Sequence, residues 1–141
     1  MKLYAESSAV LAWLFGEEAG EVVRQILSGA ESVMSSDLTL VECDRVIIRS
    51  QKVGGVKEVQ AADRRAVLNR AAARWPLVHL RDEILERARR PFPKEPIRTL
   101  DALHLASALV LRSAVSGLVL LSLDERIRSN AKEIGFEVLP A

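Results

Sequence analysis

Four carboxylates are singled out by what surrounds them. Glu6 directly follows the short run Lys2 to Ala5, and Asp124 comes three residues after the apolar run Leu118 to Leu121. Glu42 lies among apolar neighbours in the stretch after Ser32 to Ser35. Asp101 stands at the start of the apolar stretch that leads into Leu118. In an open parallel sheet the functional crevice lies beyond the carboxyl ends of the strands, so all four acids can reach one rim. Carboxylates packed in a partly dry site repel and partly protonate unless a cation joins them. Hard divalent ions such as magnesium or manganese take oxygen ligands of this kind. Such ions activate water and stabilise charge on a phosphate being cleaved.

The stretch Arg98-Thr99-Leu100-Asp101-Ala102-Leu103-His104-Leu105 reads as a helix start, with Thr99 as the expected cap. Asp101 then falls in the first turn, where the helix dipole favours a negative charge. Leu100, Leu103, Ala106, Leu109 and Val110 recur at helical spacing, with more apolar residues between them, so this helix should be buried. Its polar exceptions, Asp101 and His104, share one side.

The elements that must position these residues alternate along the chain. Strands are expected at Lys2–Ala5, Ser32–Ser35, Leu77–Leu80, Leu118–Leu121 and Phe136–Leu139. Ser7 or Ser8 should cap a first helix ending at Gly16, and Glu17 and Glu18 should open a second that ends at Gly29. Ser36 or Asp37 should cap a third, Gly54-Gly55 breaks the chain, and a fourth runs from Val56 to Arg74. A short helix follows over Asp82 to Arg90, then a proline-rich loop, then the Asp101 helix, then a last helix opened by Asp124. Short apolar strands separated by helices imply an α/β fold: a parallel sheet of four to five strands with helices on both faces, forming a single domain over residues 1–141.

Composition bounds the function. Half of the 141 residues are hydrophobic (49%), enough for a sizeable core, and 20 basic against 19 acidic residues leave a net charge of +1. Any nucleic-acid binding must therefore come from how charge is distributed and not from its sum. The single cysteine, Cys43, excludes an internal disulfide and fits a reducing, cytoplasmic setting. No stretch approaches about 18 uninterrupted apolar residues, so no membrane span is expected.

At its acidic motifs the chain resembles the PIN-domain ribonucleases, especially the VapC toxins of toxin–antitoxin pairs. The matching segments are Leu3-Tyr4-Ala5-Glu6-Ser7-Ser8-Ala9, Leu38-Thr39-Leu40-Val41-Glu42 with Arg45, Thr99-Leu100-Asp101-Ala102-Leu103-His104-Leu105-Ala106, and Leu121-Ser122-Leu123-Asp124-Glu125-Arg126. They span nearly the whole chain in the family's order. The resemblance implies metal-dependent endonucleolytic cleavage of RNA, with Glu6, Glu42, Asp101 and Asp124 in an acidic site for Mg2+ or Mn2+. It implies that Ser8 and Ser122 support that site. It further implies a homodimer and inhibition by a cognate VapB-like antitoxin. One departure stands out: the family's first acid is usually aspartate, and here it is Glu6. The extra methylene moves the carboxylate by roughly 1.5 Å. A shift of about 1 Å near the chemistry can cost on the order of 100-fold in rate. The alternative reading is therefore a PIN-fold module that binds RNA or a partner and cleaves weakly or not at all.

The remaining polar residues carry two readings each. Arg45 either pairs with Glu42, three residues before it, or contacts phosphate. His104 reads as a hydrogen-bonded packing residue, since a metal-activated water needs no histidine base. Cys43 reads as a small buried apolar side chain. Arg87, Arg89, Arg90, Lys94 and Arg98 form either a solvated rim or an edge that contacts phosphates. Trp13 and Phe15 read as core or dimer interface. A receiver-like signalling domain would need a lysine after the Leu118–Leu121 strand, and none suits.

Overall fold

A computed structural model describes residues 1–141. Five parallel strands form one sheet in the order β3-β2-β1-β4-β5. They are β1 (Lys2–Ala5), β2 (Ser32–Ser36), β3 (Leu77–Val78), β4 (Leu118–Leu121) and β5 (Val138–Leu139). Between them run α1 (Ser7–Leu14), α2 (Gly20–Gly29), α3 (Asp37–Val53), α4 (Glu58–Ala72), α5 (Asp82–Ala88), α6 (Thr99–Ala114) and α7 (Glu125–Glu133).

Alternation along the strands builds two cores. Tyr4, Met34, Leu118 and Leu120 point to one face of the sheet. There they pack with Ile84 of α5, Leu105 of α6 and Ile127 of α7. Leu3, Ala5, Val33, Val119 and Leu121 point to the other face. They meet Ala9 and Val10 of α1, Val23 of α2, Cys43 of α3 and Leu68 of α4. Both faces are covered, which is why Leu3–Ala5 and Leu118–Leu121 are apolar apart from the hydroxyl of Tyr4, which is hydrogen-bonded to His104.

The chain leaves β1 toward β2 and β3, then returns to the opposite side of β1 for β4 and β5. The order therefore reverses between β1 and β4. That switch point opens a crevice at the carboxyl ends of these two strands. The backbone amide of Glu6 still bonds the Leu121 carbonyl (3.0 Å), so the crevice begins immediately above the last paired residues.

Several element ends differ from the sequence reading. The first helix is capped by Glu6, whose carboxylate accepts the Ser8 amide; Ser7 and Ser8 lie inside it. Arg98, and not Thr99, precedes α6, and Asp101 turns back to accept the Arg98 amide (3.0 Å). In both cases an acid at the site serves as a helix-end acceptor. The second helix starts at Gly20, not Glu17, because Glu17 bonds back to the Ala12 carbonyl (3.0 Å) and closes the turn after α1. The edge strands β3 and β5 are two residues each, half of what the apolar runs suggest, since each has only one neighbour to pair with.

Gly20 marks a close approach between α1 and α2. A β-carbon there would stand 2.5 Å from the Ala12 carbonyl oxygen. Gly20→Ala should therefore destabilise the fold by about 1–3 kcal/mol, the usual cost of overpacking. Urea denaturation followed by circular dichroism measures it as a lower midpoint.

Candidate active site

The crevice holds a small cavity of about 210 Å3 lined by Glu6, Ser7, Ser8, Leu11, Glu42, Arg98, Leu100, Asp101, His104 and Asp124. All four expected acids thus meet at one place, each delivered by a different element. Glu6 ends β1 and caps α1. Glu42 projects from α3, Asp101 from the first turn of α6, and Asp124 caps α7 by accepting the Ile127 amide (3.1 Å).

Glu6 is only 3% exposed. Its Oε1 accepts the Ser8 amide (3.1 Å), and its Oε2 accepts both the Ser8 hydroxyl and the Ser122 hydroxyl, the latter at 2.7 Å. Ser8 Oγ in turn accepts the amides of Leu123 (2.8 Å) and Asp124 (3.1 Å). The two serines assigned a supporting role therefore tie Glu6 to the turn that carries Asp124.

Glu42 is held by a different set. Its Oε1 accepts the Ser7 hydroxyl (2.7 Å) and faces His104 Nε2 at 2.5 Å. His104 is 1% exposed, and its Nδ1 meets the Tyr4 hydroxyl at 3.0 Å. Burial, reinforced by the charge on Glu6, pushes the Tyr4 phenol well above its ordinary pKa, so it keeps its proton. A protonated phenol donates to Nδ1, which leaves Nε2–H to donate to Glu42. Burial alone would raise the Glu42 pKa; the hydrogen bond from His104, with that from the Ser7 hydroxyl, outweighs it and holds it below its ordinary value. His104 is thus the buried, hydrogen-bonded residue the sequence suggested, yet it also belongs to the site.

Asp101 and Asp124 share one partner. Arg98 donates Nε (3.2 Å) to Asp101 Oδ2 and Nη2 (3.3 Å) to Asp101 Oδ1, and the same Nη2 reaches Asp124 Oδ2 at 3.1 Å. Arg98, expected with its basic neighbours at a solvated rim or a phosphate-contacting edge, instead turns onto the acids. Ser7, His104 and Arg98 are the site residues the sequence reading did not assign. The available signal was spacing: Arg98 and His104 flank Asp101 at three residues on either side, on the same helical face.

Arg45 falls outside the site. It is exposed and lines a separate surface recess with Val46, Ile48, Arg49 and Lys52, while Glu42 takes its hydrogen bonds from Ser7 and His104. The basic cluster also divides. Arg87 lies over the Phe92 ring (4.0 Å) and Lys94 pairs with Glu133 (3.7 Å), whereas Arg89, Arg90 and Arg98 line a groove of about 630 Å3 between α5 and the start of α6. Trp13 packs against the core on the α1 side, and Phe15 lies under the Arg64 guanidinium (4.1 Å).

The donor set suits a hard divalent cation by type, being carboxylate and hydroxyl oxygen throughout. As the side chains stand, no group of three His, Cys, Asp or Glu is placed to hold a metal ion, and Arg98 and His104 donate to these carboxylates instead. Oxygen ligands stand about 2.0–2.1 Å from magnesium. Asp101 and Asp124, now held 3.1–3.3 Å from one nitrogen, must therefore draw in to share an ion.

A model of the PIN domain family matches residues 3–133, and the chain belongs to that family. Its relatives include Ribonuclease VapC46 of Mycobacterium tuberculosis, 29% identical over 137 residues that cover 97% of this chain and 95% of the relative. The fold is shared with Mycobacterium tuberculosis VapC20, described as a sarcin-ricin loop cleaving toxin (TM-score 0.66, 14% identity, 95% of each chain covered). It is shared too with a chain of Rickettsia felis VapBC2 bound to a promoter DNA fragment (TM-score 0.67, 10% identity, 98% of this chain and 97% of that one). No helix is long and apolar enough to cross a membrane.

Two predictions follow from this geometry. A depressed carboxylate pKa in the folded state contributes stability that is present above the unfolded-state value and lost as pH falls through the folded one. The stability difference between wild type and Glu42→Gln should thus be full above the ordinary glutamate value of about 4.3 and shrink as the solution is acidified further. Chemical denaturation at stepped pH measures it. Cys43 is buried beside Glu42 and Asp44, and burial above all pushes its thiol up to about 12. It should resist iodoacetamide at neutral pH and react fully once the chain is unfolded in urea, as read by mass spectrometry.

Proposed function

We propose that this PIN-domain protein is an endoribonuclease that hydrolyses RNA phosphodiester bonds with the help of Mg2+ or Mn2+, and that it is the toxin of a VapBC-type pair. The observation that carries this reading is the convergence of Glu6, Glu42, Asp101 and Asp124 from four elements into one cavity at the sheet's switch point. The names of its relatives support it: one is a ribonuclease, another a toxin that cleaves the sarcin-ricin loop. A cognate antitoxin is the inhibitory partner in this reading, supported by the shared fold with a chain of a toxin–antitoxin complex from Klebsiella pneumoniae. A homodimer is the expected assembly.

Glu6, Glu42, Asp101 and Asp124 would hold the cation. A divalent ion bound by these oxygens supplies Lewis-acid stabilisation of the phosphodiester under attack and activates water. Ser8 and Ser122 fix the direction of the Glu6 carboxylate. Ser7 and His104 do the same for Glu42, and they keep it ionised. Arg89 and Arg90, at the neighbouring groove, attract the RNA backbone without reading its sequence.

The second reading, a module that binds RNA or a partner and cleaves weakly, is favoured by one observation. Both oxygens of Glu6 are already committed to Ser8 and Ser122. The two readings part in a cleavage assay on RNA with Mn2+ or Mg2+. The nuclease reading expects cleavage by wild type that is abolished by chelation and reduced about 100-fold or more in Asp101→Asn. An inactive wild type alongside an active Glu6→Asp would favour the binding module. Inactivity of both, with RNA binding retained, would overturn the nuclease reading.

A further inference from the structure

We infer that Arg98 is the resident counter-cation of the acidic site, and that a divalent ion must displace its guanidinium in order to bind between Asp101 and Asp124. The inference rests on the proposal that the site takes a divalent ion, and it names the residue that competes for the place.

Three observations carry it. The first is position. One nitrogen, Nη2, contacts both Asp101 Oδ1 and Asp124 Oδ2, at 3.3 and 3.1 Å. No other group donates to both carboxylates. A cation shared by these two acids would occupy the same ground, and the two positive groups cannot coexist there.

The second is the quality of the bonds. Charge-assisted N–H···O bonds usually measure about 2.7–2.9 Å. The three side-chain contacts of Arg98 measure 3.1–3.3 Å. The guanidinium spans two acids from different helices and fits neither closely. A smaller ion of twice the charge lets both carboxylates close in.

The third is freedom to leave. The Arg98 side chain is 63% exposed, whereas those of Asp101 and Asp124 are 4% and 22% exposed. Each carboxylate is anchored at its helix end through one oxygen and presents the other to Arg98: Asp101 Oδ2 holds the Arg98 amide (3.0 Å) and Asp124 Oδ1 holds the Ile127 amide (3.1 Å). The guanidinium is free to pivot on its own stem. It also lines the groove that Arg89 and Arg90 border, which gives the side chain open space beside the site.

Arg98 thus does for the empty-handed protein what a cation does for the loaded one: it holds two acids close together. The same bonds cost metal affinity. Isothermal titration calorimetry with MnCl2 alone, without RNA, tests this. Arg98→Gln removes the charge at an exposed position, and it should bind Mn2+ about tenfold more tightly than wild type, within the usual range for coupled sites. Arg98→Lys keeps a charge without the fork and should fall between the two. Equal or weaker binding by Arg98→Gln, with wild type still binding Mn2+, overturns this inference and leaves the metal site standing. No binding by wild type or variant overturns both. Wild type offers an independent measurement: hydrogen exchange of the Arg98 Nε–H, followed by NMR, should accelerate when Mg2+ is added to saturation. Unchanged protection would equally overturn the inference.

Discussion

Negative charge brought together from four separate segments has to be balanced, and the architecture around the crevice answers that requirement. Each acid is secured by donors of its own. Serine hydroxyls hold Glu6, His104 and Ser7 hold Glu42, and Arg98 spans Asp101 and Asp124. Two of these acids also cap helices, and a third closes the first turn of α6. The site is therefore wired into the helix ends of the fold. Local stability and the placement of the chemistry rest on the same atoms.

The three-layer arrangement explains how such a cluster stays in place. Tyr4 lies in the core between the sheet and α6, yet its hydroxyl reaches His104 and through it Glu42 on α3. One buried chain of hydrogen bonds so links the helices on the two faces of the sheet across its carboxyl edge. Buried polar networks of this kind are costly when half satisfied and rigid when complete. Every donor and acceptor of His104 here has a partner.

Much of this was legible in the residues. β4 was read to its exact limits because four apolar residues between breakers leave no choice. Glu6, Asp101 and Asp124 stand out by their places after strands and at a helix start and Glu42 by its apolar neighbours, whereas Ser8 and Ser122 come only from the family resemblance. The edge strands were overread, because apolar character continues past the last residue that has a partner to pair with. Helix caps went wrong where a side chain more remote than serine or threonine took the role, as Glu6 did. Contacts such as Glu42 with His104, 62 positions apart, leave no local trace. Arg45 shows the opposite failure: a spacing of three residues on a helix permits a pair, but Glu42 points inward and Arg45 outward.

The short rims of the sheet have a consequence for company. β3 and β5 offer two residues apiece, each already using one side for its inner neighbour. A polypeptide adding itself as a sixth strand would find too brief a template to zip against. Whatever docks on this molecule must do so through its helical flanks or over the mouth of the crevice, with side chains rather than backbone ladders providing the grip.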